Sequence, residues 1–175
     1  MKNVPVFYCP KCGEKSLRQL SPKKFVCERC QFTVYNNVVA AVAAIIELND
    51  DQIIMTRRGK EPGKGKLDLP GGFVDADETL EQSLQREVKE ELSLQIRNLF
   101  YLGSFPNKYP YKGIDYSTID SVFVCKPDSI NIKREEGEIE GWDLFDPEML
   151  NLNDVAFESI RKSLERYLEF LQQSR

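Results

Sequence analysis

Apolar residues recur every four positions between residues 80 and 92, and this periodicity constrains the fold more than any other feature of the chain. They are Leu80, Leu84, Val88 and Leu92. This spacing predicts an amphipathic helix whose apolar face packs against a core. Asp77 is the predicted N-cap, because a carboxylate there can accept hydrogen bonds from the first turn. The helix is predicted to end near Ser93.

The same segment carries a face of carboxylates beside the apolar stripe. At about 100° per residue, Glu87, Glu90 and Glu91 fall within an arc of about 100°. Carboxylates this close repel one another, so the pattern indicates a cation between them. Hard oxygen ligands favour Mg²⁺ or Mn²⁺. Arg86 can neutralise part of the cluster through a bidentate hydrogen bond, although any single glutamate is also typical of a solvated helix face.

The whole run from residue 72 to residue 94 resembles the Nudix box, G-x5-E-x7-R-E-U-x-E-E-x-G-U, in which U is a bulky aliphatic residue. The matching positions are Gly72, Glu78, Arg86, Glu87, Val88, Glu90, Glu91 and Leu94. The one departure is Ser93, which stands where the box has glycine. That position ends the helix and favours a left-handed backbone, so the departure affects the turn more than the metal site.

The resemblance implies a pyrophosphohydrolase and assigns roles to individual residues. The implied ligands of Mg²⁺ or Mn²⁺ are Gly71, through its carbonyl, Glu87, Glu90 and Glu91. Glu87 is the implied base that accepts a proton from the attacking water, with Glu78 and Arg86 in support. Nudix enzymes also recruit a glutamate from a later loop, and Glu138 resembles that residue. A solvated acidic loop at residues 134–140 is the alternative.

Four of the five cysteines form two pairs with a two-residue spacing. They are Cys9, Cys12, Cys27 and Cys30. Residues 1–35 are too few to fold around their aromatic side chains alone, so the spacing predicts a structural Zn²⁺ held by four thiolates. We therefore expect a zinc ribbon over residues 1–35 and a second domain over residues 36–175. Unligated or disulfide-linked cysteines are the alternative.

The remaining chain alternates strand and helix patterns. The predicted strands are residues 38–47, 53–57, 94–104, 115–126 and 142–145, and a proline- and tyrosine-rich loop separates the third from the fourth. A closing amphipathic helix is predicted with Asn153 as its cap. Its apolar stripe is Phe157, Ile160, Leu164, Leu168 and Leu171. The fold class is therefore α/β, a Nudix α/β/α sandwich with a mixed β-sheet, preceded by a small zinc-ribbon module.

Charge and hydropathy bear on the cellular compartment of the protein and on whether it binds a membrane or a nucleic acid. The longest apolar-rich run, residues 38–48, is shorter than the roughly 18 to 20 residues of a membrane span. We therefore expect a cytoplasmic protein with no membrane partner. Residues 1–35 carry a formal charge of +5 and the rest −9. Four thiolates and one Zn²⁺ would reduce the charge of the ribbon to about +3, which is only weak support for a nucleic-acid partner.

The aromatic segment after the box bears on the substrate. A zinc ribbon ahead of a Nudix domain is similar to the arrangement in NADH pyrophosphatases, whose signature is S-Q-P-W-P-F-P-x-S. Ser104, Pro106 and Pro110 fit that signature, whereas its glutamine, tryptophan and middle proline are absent. The candidate substrate-binding residues are Phe105, Tyr109 and Tyr111. They are suited to stacking on an adenine or nicotinamide ring, and packing is the alternative.

Three hypotheses follow for the function. The first is an enzyme that cleaves a nucleoside diphosphate linked to another moiety, such as NADH, ADP-ribose or a similar dinucleotide or sugar nucleotide. The second is a nucleotide-sensing regulator whose ribbon contacts nucleic acid, although the intact box carboxylates argue against it. The third treats the ribbon as a structural or a dimerising module, and only in the dimerising case would the protein be a homodimer.

Overall fold

The computed structural model describes residues 6–48, 52–132 and 139–174. The chain separates into two compact units, Met1–Val38 and Val39–Arg175. Within the described residues, no helix is both long enough and apolar enough to cross a membrane.

The first unit is a small antiparallel sheet of four strands in the order β1-β2-β3-β4. The strands are β1 (Val6–Phe7), β2 (Leu17–Gln19), β3 (Lys24–Cys27) and β4 (Thr33–Tyr35). Its buried apolar residues are Cys9, Leu17 and Cys27, with Phe25 and Val34 packed against them. Because two of these three buried side chains are thiols, the unit has little apolar core of its own.

Two sheets form the frame of the second unit. One has the order β8-β5-β10-β9 and the other the order β11-β6-β7. Their strands are β5 (Val39–Ile46), β6 (Ile53–Arg58), β7 (Leu67–Asp68), β8 (Gly71–Phe73), β9 (Ile96–Tyr111), β10 (Ile114–Pro127) and β11 (Ile139–Phe145). The β5 and β10 strands are parallel, whereas β9 and β8 pair with them antiparallel. The predicted mixed sheet is confirmed.

Two helices, α1 (Leu80–Leu92) and α2 (Glu158–Ser174), cover the two faces of β5. Successive side chains of a strand point to opposite faces. Val42, Ala44 and Ile46 accordingly lie in the core cluster that contains the apolar stripe of α1. Ala43 and Ile45 lie in the other cluster, which contains Ile160 and Leu164 of α2. This arrangement confirms the predicted α/β/α sandwich.

The cap of α1 differs from the prediction. Thr79 is the N-cap rather than Asp77, which has a left-handed backbone with φ 69°. The Thr79 hydroxyl accepts a hydrogen bond from the Gln82 N–H at 3.2 Å, and the Gln82 side chain accepts one from the Thr79 N–H at 2.9 Å. Such a capping box satisfies two N–H groups at once, which Asp77 could not do from its position. The helix ends at Ser93, as predicted.

The predicted cap of the closing helix was also wrong. Asn153 lies inside a short 3-10 helix, Leu152–Asp154, whose N-cap is Asn151. The side chain of Asn151 accepts a hydrogen bond from the Asn153 N–H at 3.1 Å. The closing helix therefore begins later, at Glu158.

The predicted loop between the third and fourth strands is part of a long hairpin. The β9 strand continues to Tyr111 and pairs with β10 as far as its turn. Because β9 is an edge strand, Pro106 and Pro110 can lie in it without removing a hydrogen bond that the sheet needs. The chain reverses at Lys112 and Gly113, whose φ angles of 47° and 80° are those of a tight hairpin turn.

Candidate active site

A pair of glycines brings the backbone of β8 against both β5 and α1. A Cβ atom on Gly71, where φ is 152°, would collide with the carbonyl oxygen of Val42. A Cβ atom on Gly72 would lie 2.5 Å from Oε1 of Glu87. Glycine is therefore required at Gly71, where the neighbouring atoms are backbone, whereas a side chain at Gly72 would displace the carboxylate of Glu87. The close approach places the backbone of β8 beside the carboxylates of α1.

Arg86 joins three glutamates of the box. Its Nε and Nη2 atoms donate to the two oxygens of Glu78 at 2.8 and 2.9 Å. Its Nη1 atom donates to Glu87 at 2.8 Å and to Glu90 at 3.1 Å. The hydrogen bond with Glu78 raises the pKa of Arg86, and the same bond lowers the pKa of Glu78. Both groups therefore stay ionised, and Arg86 holds the carboxylate of Glu87 in a defined orientation.

The three glutamates predicted to bind the metal differ in solvent exposure and in their position relative to the cavity. Glu87 and Glu91 are each only 8% exposed and line a cavity of about 390 Å³. Oε2 of Glu91 accepts a hydrogen bond from the Gly71 N–H at 3.3 Å. Glu90 is not among the described residues that line this cavity, and its side chain is 51% exposed. The structure thus places two carboxylates and the glycine pair together in the cavity.

Aromatic side chains form another part of the cavity wall. Phe73, Tyr109, Tyr111 and Phe157 line it. The rings of Tyr109 and Phe73 meet edge to face at 5.4 Å, and those of Tyr109 and Phe157 are tilted by 33° at 5.7 Å. Phe105 is not among the described lining residues and packs instead against the core cluster beneath α2. The packing alternative therefore holds for Phe105, while Tyr109 and Tyr111 face the cavity.

Two buried aspartates that the sequence did not single out also line the cavity. Asp68 ends β7 and Asp120 lies in β10, and each is only 7% exposed. Nη1 of Arg58 lies 2.7 Å from Oδ2 of Asp68. Burial raises the pKa of Asp68 to about 6, although Arg58 opposes this shift. A signal for Asp120 was present, because it is an acidic residue within the predicted strand at residues 115–126.

Hydroxyl groups hold the second aspartate. The Thr118 hydroxyl donates to Oδ1 of Asp120 at 2.9 Å, and the Ser159 hydroxyl donates to Oδ2 at 2.5 Å. Ser159 belongs to α2, so its hydrogen bond connects the sheet to that helix. Ser159 could not have been assigned this partner from the sequence, because it lies in a different element, 39 residues along the chain. Thr118 lies two residues from Asp120 in the same strand, and side chains with that spacing share one face of a strand.

The predicted loop carboxylate, Glu138, lies outside the described residues. The next described carboxylate along the chain is Glu140 in β11. Its Oε1 atom lies 3.6 Å from Nζ of Lys64 in an exposed ion pair. The role assigned to Glu138 remains a prediction.

The four paired cysteines converge in the first unit. The Sγ atoms of Cys9, Cys12, Cys27 and Cys30 all lie within 4.8 Å of one another. The Cys9–Cys30 and Cys12–Cys27 pairs are each 3.7 Å apart. Tetrahedral zinc with Zn–S bonds of about 2.3 Å requires sulfur atoms about 3.8 Å apart, so the cluster fits this ion. The Ser16 hydroxyl, 3.1 Å from Sγ of Cys27, and the backbone N–H groups of Cys30 and Arg29 together lower the pKa of that thiol to about 6.

Comparison with known proteins decides the family. The family model for the NUDIX domain matches residues 38–167. The chain belongs to the Nudix family. The match contains the whole box and extends from β5 into α2.

Curated relatives include proteins named NAD-capped RNA hydrolase NudC. The protein from Photorhabdus laumondii is 29% identical over 145 residues, which are 83% of this chain and 53% of the relative. The protein from Haemophilus influenzae strain PittGG is 28% identical over 164 residues, which are 90% and 60% of the two chains. This Nudix chain therefore spans about half to three fifths of the length of these relatives.

Solved structures of the Nudix family share the fold. A NUDIX hydrolase from Nitrosomonas europaea has a TM-score of 0.72 and 28% identity, with 93% of this chain and 90% of that chain covered. The NUDIX domain of NrtR from Shewanella oneidensis, crystallised with ADP ribose, has a TM-score of 0.63 and 18% identity. The second comparison covers 78% of this chain and 90% of that domain and concerns the fold alone.

Proposed function

We propose that this chain is a metal-dependent pyrophosphohydrolase that cleaves a phosphoanhydride bond in a nucleoside diphosphate linked to another moiety. The observation that carries the proposal is the burial of Glu87 and Glu91 in one cavity with an aromatic wall. Carboxylates suit metal and phosphate chemistry, and aromatic rings suit a base. The NudC relatives, named as NAD-capped RNA hydrolases, support a substrate of the dinucleotide class.

The box residues supply the donors for a divalent cation. We propose that Glu87, Glu90, Glu91 and the carbonyl of Gly71 hold Mg²⁺ or Mn²⁺, because the set consists entirely of hard oxygen atoms. Such ions neutralise phosphate oxygens and lower the pKa of a bound water. Arg86 orients Glu87 and Glu90, and Glu78 holds Arg86 in place.

Hydrolysis then needs one base and a positioned water. Glu87 accepts a proton from the water while the oxygen of that water attacks one phosphorus atom. The bridging P–O bond breaks, and the leaving phosphate or nucleoside phosphate takes the electron pair. Glu138 is the proposed additional carboxylate. The rings of Tyr109 and Tyr111 contact the base or nicotinamide portion of the substrate.

The first unit has a structural role in this proposal. Residues 1–35 form a zinc ribbon, and residues 36–175 carry the hydrolase. We further propose that the protein acts on a small nucleotide in the cytoplasm. A ribbon of about +3 with Zn²⁺ bound provides little charge for holding a nucleic acid.

A metal-dependent substrate panel tests the hydrolase. The intact protein should be incubated with Mg²⁺ or Mn²⁺ and, separately, NADH, ADP-ribose, diadenosine polyphosphates, sugar nucleotides and nucleoside triphosphates. Products should be separated by chromatography. We expect metal-dependent cleavage of a member of the dinucleotide class. Glu91→Gln should lower kcat/KM by at least about 100-fold, because it removes a charge from the metal site without changing the shape of the side chain.

Glu81→Gln is the matched control on the same helix. Glu81 lies in the first turn of α1 and is exposed, and it is not among the described lining residues. Its variant should retain the activity of the wild type. Absence of metal-dependent product from every substrate would overturn the hydrolase proposal.

A further inference from the structure

The cavity contains a pair of buried aspartates that the proposed chemistry does not use. Asp68 and Asp120 line the same cavity as Glu87 and Glu91, yet they belong to β7 and β10 rather than to the box. They are close enough for the charge of Asp120 to act on Asp68. Burying two carboxylates near each other costs free energy unless hydrogen-bond donors surround them. Their burial in a ligand cavity therefore suggests that a ligand supplies some of these donors.

Protein donors satisfy only part of the capacity of these carboxylates. Asp68 accepts from Arg58 at 2.7 Å and from the Leu69 N–H at 2.9 Å. Asp120 accepts from the hydroxyls of Thr118 and Ser159. An ionised carboxylate offers about four acceptor positions, so these bonds leave acceptor capacity on each group. Because both residues line the cavity, that capacity is available to a ligand.

Arg58 is fixed in place and neutralises only one of the two carboxylates. Its Nε atom donates to the Pro62 carbonyl at 2.6 Å, and its guanidinium lies 4.7 Å from the centre of the Phe157 ring. Arg58 bonds to Asp68, whereas Asp120 accepts from hydroxyl groups. The two carboxylates therefore give this part of the cavity acceptors for the N–H or O–H groups of a ligand.

Building on the hydrolase function, we propose that Asp68 and Asp120 select the nucleoside part of the substrate by accepting hydrogen bonds from its N–H or O–H groups. An amino group of the base and a hydroxyl of the ribose are the two sources of such donors. The ionised phosphoryl groups of a phosphoanhydride offer no such donors. We expect them to lie instead at the carboxylates of the box, where a divalent cation would bind their oxygens.

Binding of nucleoside monophosphates to the intact, zinc-loaded chain tests this selection without turnover. Calorimetry in Mg²⁺ should compare AMP with three analogues: IMP, which lacks the amino group, and 2′-deoxy-AMP and 3′-deoxy-AMP, which each lack one hydroxyl. We expect at least one analogue to bind about tenfold more weakly than AMP, because it leaves a buried acceptor unpaired. The analogue that is affected identifies the source of the donor.

Asp120→Asn is the variant that should abolish the discrimination. The amide keeps the shape of the side chain but replaces one acceptor with a donor, so AMP and the discriminated analogue should bind within about twofold of each other. With a hydrolysed dinucleotide, the variant should raise KM about tenfold and change kcat by less than about threefold. A merely structural role would lower the melting temperature and leave the preference between ligands unchanged.

The outcomes separate this inference from the hydrolase proposal. Equal affinity of the wild type for AMP and all three analogues would overturn the selection even if the enzyme is active, and this result does not depend on any variant folding. A preference that persists in both Asp120→Asn and Asp68→Asn would also overturn it. Discrimination by a wild type that hydrolyses nothing would overturn the hydrolase and leave the selection standing.

Discussion

Asp68 shows how burial changes the titration of a single carboxyl group. Its pKa rises from 3.8 to about 6, because burial disfavours the charged form more than Arg58 favours it. Below about pH 4 the group is protonated in both the folded and the unfolded chain. As the pH rises from about 4 to about 6, the unfolded chain loses this proton first. Ionisation of Asp68 therefore lowers the free energy of unfolding over this range.

Asp68→Asn should remove this pH dependence. A shift of about two pH units corresponds to about 3 kcal/mol, so the stability of the wild type relative to the variant should fall by about that amount from pH 4 to pH 7. Urea unfolding can be followed by the fluorescence of Trp142, the only tryptophan, which lies in the second unit. Asp115→Asn changes an exposed position of β10, so this variant should show the same pH dependence of the free energy of unfolding as the wild type. A constant difference across this pH range would contradict the assignment to Asp68.

The C-terminal end of α1 shows how the backbone conformation of one residue ends a helix. The helix stops at Ser93, whose φ of 55° is left-handed and whose N–H donates to the Lys89 carbonyl. This is the geometry that glycine adopts most easily. Serine therefore forms the turn that the box glycine forms, but at a cost in backbone energy.

Ser93→Gly should stabilise the protein. Glycine removes the steric cost of the left-handed backbone, and we expect the free energy of unfolding to rise by about 0.5–1 kcal/mol. Urea unfolding followed by the fluorescence of Trp142 measures this change in the free energy of unfolding. Ser117→Gly makes the same chemical change at an exposed, extended position of β10 and should instead lower stability by about 0.5–1 kcal/mol. If both variants were destabilised, Ser93 would not carry backbone strain.

At the scale of the whole molecule, the two units obtain their stability in different ways. The second unit has two apolar clusters, on either side of β5. Among its described residues, 6–38, the first unit has a core of three buried residues, two of which are thiols. A bound Zn²⁺ would therefore provide much of the folding free energy of the first unit but not of the second.

Removing zinc should unfold the first unit selectively. Metal analysis of protein prepared without chelator should find about one zinc atom per chain. After treatment with a strong chelator, proteases should cleave within residues 1–38 while residues 39–175 stay intact. Cys27→Ser should lose the metal. Cys125→Ser should keep it, because Cys125 is buried in β10 of the second unit, where burial raises its pKa to about 12. Equal zinc content in the two variants would refute the ribbon.

Local spacing in the sequence determined much of this protein. The period of four predicted α1, and the cysteine spacing predicted a cluster that fits zinc. The box predicted Glu87, Glu90 and Glu91 as one set with Gly71, and of these glutamates Glu87 and Glu91 line the cavity with the glycine pair. These features depend on residues within one helix or one short segment, where helical geometry and ligand spacing relate sequence directly to position.

Only the tertiary structure decided the features that depend on distant partners. Pro106 and Pro110 lie in a strand because β9 is at the edge of its sheet, and strand order is not a local property. Asp68 and Asp120 meet in one cavity because β7 and β10 converge there, and Ser159 reaches Asp120 from α2. Burial, and with it the raised pKa of Asp68, arises only when these elements pack together.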